Sequence, residues 1–572
     1  MAEHNSIWAV PLALSNFNIV VAVLGGFISL FGLVSYLLKE NYYLSEARVA
    51  LGPHGANFIR PNAYASGCTG NPDSELQCRD STNDITLNFS RLVLGVQLVI
   101  AGIQLPSKYL WTEWKPISML LGPGMTFMWL ATSFLVWGLV GTPSFLHALA
   151  VGACVTPTDP VLSAVIVKGK FADNNIPKDL QDLIVAESGA NDGLGYPFLF
   201  FALYLIKYVG AGATSGGAGD AFGLWFALTW GYTIILSILY GAAVGWLAKE
   251  LLHWAEKRNY VDRESFLVFA ISLALFVLGT CGLIGTDDVL ACFVAGNAFT
   301  WDDWFRIQTQ DDSLQPTIDM LLNVTIFLWY GAVIPWGLFQ NNIVIHLYRL
   351  VPLGILVLLL RRLPWIFGLH KWIHQIRETR QALFVGFFGP IGVSAVFYLF
   401  ITLEFIDQHL SDENRVPRSD VKDLSETVRV VVWFLTVCSI VVHGLSIPLG
   451  KIGYLAPRTI SRMMSESISG DEFRISSRVP TISRWLSNGK TDVEAAAGSQ
   501  GNELPLQDPP NSDLPNLRPV PAAVPTNNRS DTSDEEDSMP ARRREIRFYD
   551  EPEPRPSALQ FSRVPNEPTG RI

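Results

Sequence analysis

Thr156-Pro157-Thr158-Asp159-Pro160 interrupts an apolar run that otherwise reads as one helix over residues 145–167. Each proline removes a backbone donor and clashes with the carbonyl one turn back, so a helix cannot pass unaltered through Pro157 and Pro160. The carbonyls and half-helix ends freed there lie at mid-depth, beside the Asp159 carboxyl, and an unwound segment of that kind can coordinate a cation. A plain proline kink is the alternative, made less attractive by the acid between the prolines. The run is long enough to cross a hydrocarbon core about 30 Å thick. The stretch therefore predicts an all-α polytopic membrane protein with at least one discontinuous helix.

Twelve runs of this kind can be marked: 17–38, 85–105, 117–140, 145–167, 180–206, 221–248, 265–284, 287–300, 318–339, 350–369, 381–403 and 428–449. Hydrophobic residues make up 49% of the 572 positions and charged residues 16%, with 17 Trp and 33 Phe, too apolar for a soluble protein of this size. The N-terminus lacks the basic flank and small-residue cleavage site of a signal peptide, so 17–38 reads as the first span. Lys108 and Lys115, then Lys168, Lys170 and Lys178, then Lys249, Lys257, Arg258 and Arg263, then Lys371, Arg377 and Arg380 occupy alternate loops. Those loops, and the chain from Lys451 onward, are expected in the cytoplasm. The external loop 404–427 runs against this trend with Arg415, Arg418 and Lys422.

The alternation leaves one defect. Lys39 and Arg48 read as cytoplasmic, yet the run at 85–105 must enter from outside, so a crossing is required between Arg48 and Arg60. A helix rising about 1.5 Å per residue cannot cross in the stretch 49–59, which also holds Gly52-Pro53-His54-Gly55. One span is missing or truncated.

From Lys451 the composition turns to Ser, Pro, Asn, Arg and acidic residues, including a Pro-rich stretch at 505–525, and it cannot bury a core. The expected organisation is a membrane domain over 1–450 and a largely disordered cytoplasmic tail over 451–572. Residues 458–486 mix Arg with Met, Ile, Phe and Trp and suit either an anionic membrane face or a solvated juxtamembrane segment. Ser533, followed by Asp534, Glu535 and Glu536, resembles an acidophilic kinase site. The net charge of −10 is unevenly spread and defines no partner; nucleic acid is not expected. Cys68 and Cys78 lie in a polar, external stretch where a disulfide can form, whereas Cys154, Cys281, Cys292 and Cys438 fall in apolar runs and no metal-binding spacing occurs.

Ionisable residues inside apolar runs mark function unless they are paired for structure. In Glu187-Ser188-Gly189-Ala190-Asn191-Asp192-Gly193, Ser188 and Asp192 share one helical face, and Glu187 and Asn191 another. One pair can face an ion while the other ties down structure. Arg361 and Arg362 fall inside 350–369, ahead of Pro364, and a mid-membrane Arg needs an acidic partner, for which Glu187 is the obvious candidate; alternatively 350–360 is a short span and the arginines are cytoplasmic anchors. Gly386-Phe387-Phe388-Gly389-Pro390-Ile391-Gly392 breaks a later run much as 156–160 breaks the earlier one. Paired interruptions mark inverted-repeat transporters, whose site lies where the broken helices cross; small-residue packing is the alternative. Asp287-Asp288 fits helix capping as well as function.

Taken together, Thr158-Asp159-Pro160, the 187–193 stretch, Arg361-Arg362-Leu363-Pro364, Gly386-Phe387-Phe388-Gly389-Pro390, Gly52-Pro53-His54-Gly55 and His443-Gly444-Leu445 resemble the monovalent cation/proton antiporter superfamily, and within it the fungal plasma-membrane sodium/proton branch. The resemblance runs over nearly all of 17–456. It implies an inverted-repeat fold with two crossing broken helices, and a homodimer of thirteen-span protomers, each with a dimerisation domain and a moving core. Asp192 would carry cation and proton, Asp159, Ser188 and the backbone near Thr158 would be further ligands, Asn191 would hold the unwound helices, and Glu187 would pair with Arg362. Phe388 stands where animal and plant relatives have Arg in Gly-x-Arg-Gly, and the full second span of relatives before Gly-Pro-His-Gly is mostly absent here.

The implied activity is exchange of sodium, and also potassium or lithium, for protons across the plasma membrane, with no cofactor beyond the transported ions. Rival readings are a transport-inactive scaffold or isoform with a truncated span, a cation channel, and an intramembrane hydrolase. No Thr-Val-Gly-Tyr-Gly filter, Arg-rich sensor helix or peptide-cleaving constellation accompanies the carboxylates.

Overall fold

The computed structural model describes residues 72–160, 162–163, 176–213, 216–412 and 416–468, with side chains except at 72–78 and 447–468. All fall in the first of the chain's two units, Met1–Asp471; the second is Glu472–Ile572. The expectations for 17–38, the short crossing at 49–59, Cys68, Lys168, Lys170, Arg415 and the chain from 469 on, Ser533 included, lie outside the described residues.

Every described span expected from sequence falls on a helix, and an isolated bridge between Ser411 and Pro417 is the extended pairing found among the described residues. Leaving aside the short helices Tyr109–Thr112 and Trp304–Gln308, the helices in chain order are α1 (Pro72–Gln104), α2 (Trp114–Val140), α3 (Phe145–Cys154), α4 (Lys178–Tyr208), α5 (Ala218–Lys257), α6 (Arg263–Ile284), α7 (Asp288–Phe299), α8 (Leu314–Val333), α9 (Leu347–Leu360), α10 (Leu363–Leu369), α11 (Thr379–Phe387), α12 (Val393–His409) and α13 (Leu424–Ile468). Seven stretches among the described residues are long and apolar enough to cross a membrane.

Local chemistry sets the boundaries. Ser144 caps α3, accepting from the Leu146 amide at 3.2 Å, and Asp287 caps α7, accepting from Leu290 at 3.0 Å. That answers the capping question for Asp287, while Asp288 pairs with Arg91 of α1. α8 stops at Val333 because Ile334 precedes Pro335, and the rest of the expected 318–339 span continues as a short 3-10 turn, Trp336–Phe339. Pro123 sits in a π-turn, Leu120–Gly124, within α2. α1 starts well before residue 85, so Cys78 lies on a helix rather than in a loop.

A close seam joins α5 to α7. Gly241 and Gly245 are four apart on α5 and meet the backbones of Ala291 and Ala295, four apart on α7; a Cβ at Gly241 would sit 2.5 Å from the Ala291 carbonyl oxygen. Where surrounding lipid is as apolar as the side chains, close backbone approach through small residues supplies the packing. Gly245→Leu should cost about 1–3 kcal/mol by overpacking, read as a lowered melting temperature in detergent. Gly223→Leu, with nothing within 4 Å of its Cβ, is the control; equal melting of the two would show that the seam yields freely.

On their outer faces α5 and α6 expose Phe226, Leu239, Trp246, Leu251 and Phe276, as helices facing acyl chains do. The opposite group of helices positions the site. α3 packs on α2 and α4; α12 packs on α1, α3, α4 and α13; α9 packs on α2 and α13; and α7 reaches α4.

Candidate functional site

Two expected interruptions are real breaks and they touch. α3 ends at Cys154, residues 155–159 leave the helix, and helix resumes at Pro160. α11 ends at Phe387, residues 388–392 leave the helix, and α12 starts at Val393. The Asp159 amide donates to the Pro390 carbonyl at 3.0 Å, and the Val393 amide donates to Asp159 Oδ2 at 2.8 Å. Asp159 thus caps the positive N-terminal end of α12. Gly392 must be glycine for this approach, since a Cβ there would overlap the Asp159 carboxylate.

A third discontinuity supplies the counter-charges. Arg361 ends α9 and Arg362 precedes α10, whose first turn carries Pro364. Both guanidiniums are buried, which excludes the anchor reading. Arg362 grips Glu187 of α4 with two bonds, Nη1 to Oε1 at 2.5 Å and Nη2 to Oε2 at 2.7 Å, and its Nε donates to the Val385 carbonyl at 2.9 Å. Arg361 turns elsewhere. Its Nη1 lies 2.5, 3.1 and 3.3 Å from the carbonyl oxygens of Val155, Thr156 and Pro157, and its Nη2 donates to Gly389 O. Both α3 and α11 present C-terminal ends here, whose last carbonyls lack helical partners and carry partial negative charge. One planar five-donor group satisfies both.

The 187–193 stretch lies along the breaks. Asn191 brackets Thr158, accepting from its amide at 3.1 Å and donating Nδ2 to its hydroxyl at 2.7 Å. Ser188 Oγ lies 3.2 Å from Thr158 Oγ1 and donates to Ser163 Oγ at 3.2 Å. Ser188 and Asn191 therefore converge on one residue while Glu187 leaves for Arg362. The four-residue pairing expected from spacing is replaced by an i, i+3 pair, which shares a helical face equally well.

Asp192 differs from all of these. It is 1% exposed, yet neither carboxylate oxygen has a hydrogen-bond partner, and nor does Ser394 Oγ. Asp159, Ser394 and Asp287 are the polar groups whose influence reaches it. Its backbone carbonyl accepts from Tyr398 Oη, which also lies 3.2 Å from Gly193 O. Buried polar groups are normally satisfied, so a doubly orphaned carboxylate beside a hydroxyl is a place where a proton, a water or a cation would complete the bonding.

Ser439, Ser394 and Tyr398 were not picked out from sequence, and His443 was picked out only as part of the His443-Gly444-Leu445 motif, without a role. Ser439 of α13 accepts from the Ile391 amide at 2.7 Å, and His443 one turn on lies 3.0 Å by Nε2 from the Phe387 carbonyl, so α13 props the second break. Ser394 and Tyr398 begin and continue α12. The four-residue spacing of Ser439 and His443 in an apolar run was the available signal. Of the expected site residues, Thr158, Asp159, Glu187, Ser188, Asn191, Asp192 and Arg362 meet in one buried constellation, with Pro157, Pro160, Gly389 and Pro390 at the breaks. The Cys68–Cys78 pairing is not among the described features.

Comparison with known proteins gives a consistent picture. Residues 48–449 match the family model described as sodium/hydrogen exchanger, transmembrane. The chain is 36% identical over 497 residues to a Na(+)/H(+) antiporter of Saccharomyces cerevisiae, covering 84% of this chain and 48% of that protein. It is 30% identical over 473 residues to a Na(+)/H(+) antiporter of Schizosaccharomyces pombe, covering 81% and 97%. The chain thus spans about half the length of the first of these curated relatives. Among solved structures, a sodium proton antiporter of Methanocaldococcus jannaschii shares the fold, with a TM-score of 0.50 and 16% identity over 76% of this chain and 99% of that one.

Proposed function

The chain belongs to the sodium/hydrogen exchanger family, and from that premise we propose that it is a secondary antiporter, not an enzyme, exchanging sodium, and also potassium or lithium, for protons. The observation that carries this reading is the Asp192 carboxylate, buried at the crossing of two broken helices with both oxygens unpartnered. Ser394, Ser188, Thr158 and Asp159 supply the oxygen donors that a hard cation prefers.

With the pocket open to the cytoplasm, Asp192 releases a proton and takes a dehydrated alkali cation. One carboxylate cannot hold both, so competition is the coupling. Loaded with either ligand the site is neutralised and the core carries it across. Empty and charged, it stays put. Asn191 keeps Thr158 in place, and Glu187 occupies Arg362 so that this charge does not occupy Asp192.

The membrane domain is assigned to 1–450, in the plasma membrane and as a homodimer. The segment 451–572 is assigned to a cytoplasmic regulatory tail with a kinase site at Ser533. Relatives named as antiporters in two yeasts support the exchange. The test is reconstitution of the purified chain in proteoliposomes. Added sodium should drive saturable proton movement without unitary currents, and expression should restore salt tolerance to antiporter-deficient yeast. Discrete currents would establish a channel, and inert liposomes with no rescue would establish a scaffold.

A further inference from the structure

We infer that Arg418 and Asp420 form an external clip that fastens the outer end of α4 to the α12–α13 loop, making these residues positioning residues for the transport step. Arg418 is one of the loop cations that run against the charge trend, and its contacts give it a reason to be there. Nη2 donates to the Ile206 carbonyl at 2.7 Å and Nη1 to the Lys207 carbonyl at 3.2 Å, the last carbonyls of α4. A cation on a helix C-terminus satisfies orphan acceptors and opposes the helix dipole.

Asp420 completes the clip. It takes Arg418 Nε at 2.6 Å and Nη2 at 2.8 Å, and it also accepts the Gly212 amide at 3.1 Å, from the strand of chain that leaves α4. A Cβ at Gly212 would lie 2.5 Å from Asp420 Oδ1 and 2.7 Å from Arg418 Nε. The described ends of the loop that presents the pair are tied down. The Arg418 amide donates to the Leu410 carbonyl at the end of α12 (2.8 Å), Asp412 bonds Val416 (3.0 Å), and Val421 and Leu424 at the start of α13 are buried. Three helices are thereby joined at one end: α4, which carries Asp192, α12, which carries Ser394, and α13, which props the second break.

Asp192 lies 14 residues below Ile206 on α4, about 21 Å at a helical rise of 1.5 Å per residue. The clip touches no transported ion. Its effect falls on whether α4 travels with the other broken helix as one body, hence on turnover and not on cation loading. This kinetic consequence rests on the antiport reading; the mechanical one does not.

The test uses the full chain in lipid, with Gly212→Cys/Asp420→Cys compared in its reduced and oxidised forms, against the parent chain treated identically. Reduced, the Asp420 half of the clip is gone, its bonds to the Gly212 amide and to Arg418 both lost, and turnover should fall several-fold while the sodium KM stays within about twofold. Oxidised, a covalent clip replaces the ionic one and turnover should recover. Hydrogen–deuterium exchange at 206–212 should rise in the reduced form and in Arg418→Ala, with exchange along α5–α7 unchanged. The inference is overturned if exchange at 206–212 is unaltered, if the reduced form turns over like the parent, or if oxidation fails to restore transport or abolishes it. A parent chain that moves no protons defeats the antiport reading alone, and the exchange measurement still decides the clip.

Discussion

Asp192→Asn is expected to bring sodium-dependent proton movement in proteoliposomes to the level of empty vesicles, with the protein still folded and monodisperse. Asn matches Asp in shape, and no hydrogen bond of the Asp192 carboxylate is lost because none is present. What disappears is the charge that, on the proposed mechanism, proton and cation share. Moving an unneutralised carboxylate through the bilayer centre costs at least about 3 kcal/mol, roughly two decades in the population of the crossing state. On the proposed mechanism that penalty forbids empty-site slippage in the parent, and Asn would abolish both it and the binding that relieves it. Asp159→Asn should behave differently. Its Oδ2 already accepts the Val393 amide, a task an amide oxygen performs, so a graded loss with raised sodium KM is expected. Equal, total loss in both variants would mean that the two acids act as a coupled carrier, and retained exchange in Asp192→Asn would remove it from the carrier role.

What sequence could reveal follows from where the physical constraint is written. Pro157, Pro160 and Pro390 announce their breaks because the missing donor is a property of the residue itself. Glu187 and Asp192 stand out because charge in an apolar run is expensive wherever the chain folds. The choice between Arg361 and Arg362 as partner of Glu187 was not legible from adjacency: two neighbours on a helix point about 100° apart, and here a helix junction separates them further. Nor could the partners of Arg361 be read, since backbone carbonyls carry no letter in the sequence. The same is true of the Arg418 contacts with Ile206 and Lys207, which turn an apparent violation of the loop-charge rule into a helix cap. The i, i+3 convergence of Ser188 and Asn191 was available in principle, but i, i+4 was equally allowed and the position of Thr158 decided it.

Breaking the buried Glu187–Arg362 pair from one side should be the most destabilising single change in the core. Both side chains are about 3% exposed and joined by two bonds. Such a pair adds little net stability over an apolar replacement, because desolvation of two ions offsets their attraction. Removing one partner is another matter, since the remaining charge keeps its desolvation penalty without its counter-ion, at about 3–5 kcal/mol. Glu187→Leu is therefore expected to melt far below the parent in detergent, and Arg362→Met likewise. Glu187→Leu/Arg362→Met should melt closer to the parent than either single variant, short of it by the bond from Arg362 Nε to Val385. Additive losses in this cycle would show that the two groups do not interact as the geometry requires. Transport distinguishes the singles further. Glu187→Gln keeps the shape but frees the Arg362 charge, and Asp192 lies only five residues along the same helix, about 7.5 Å of rise. A guanidinium released at that distance competes with sodium for the Asp192 carboxylate. The folded fraction of Glu187→Gln should consequently show a raised sodium KM, relieved when Arg362→Met is added. That outcome would show the ion pair serving transport by keeping a fixed cation away from a carboxylate reserved for a mobile one.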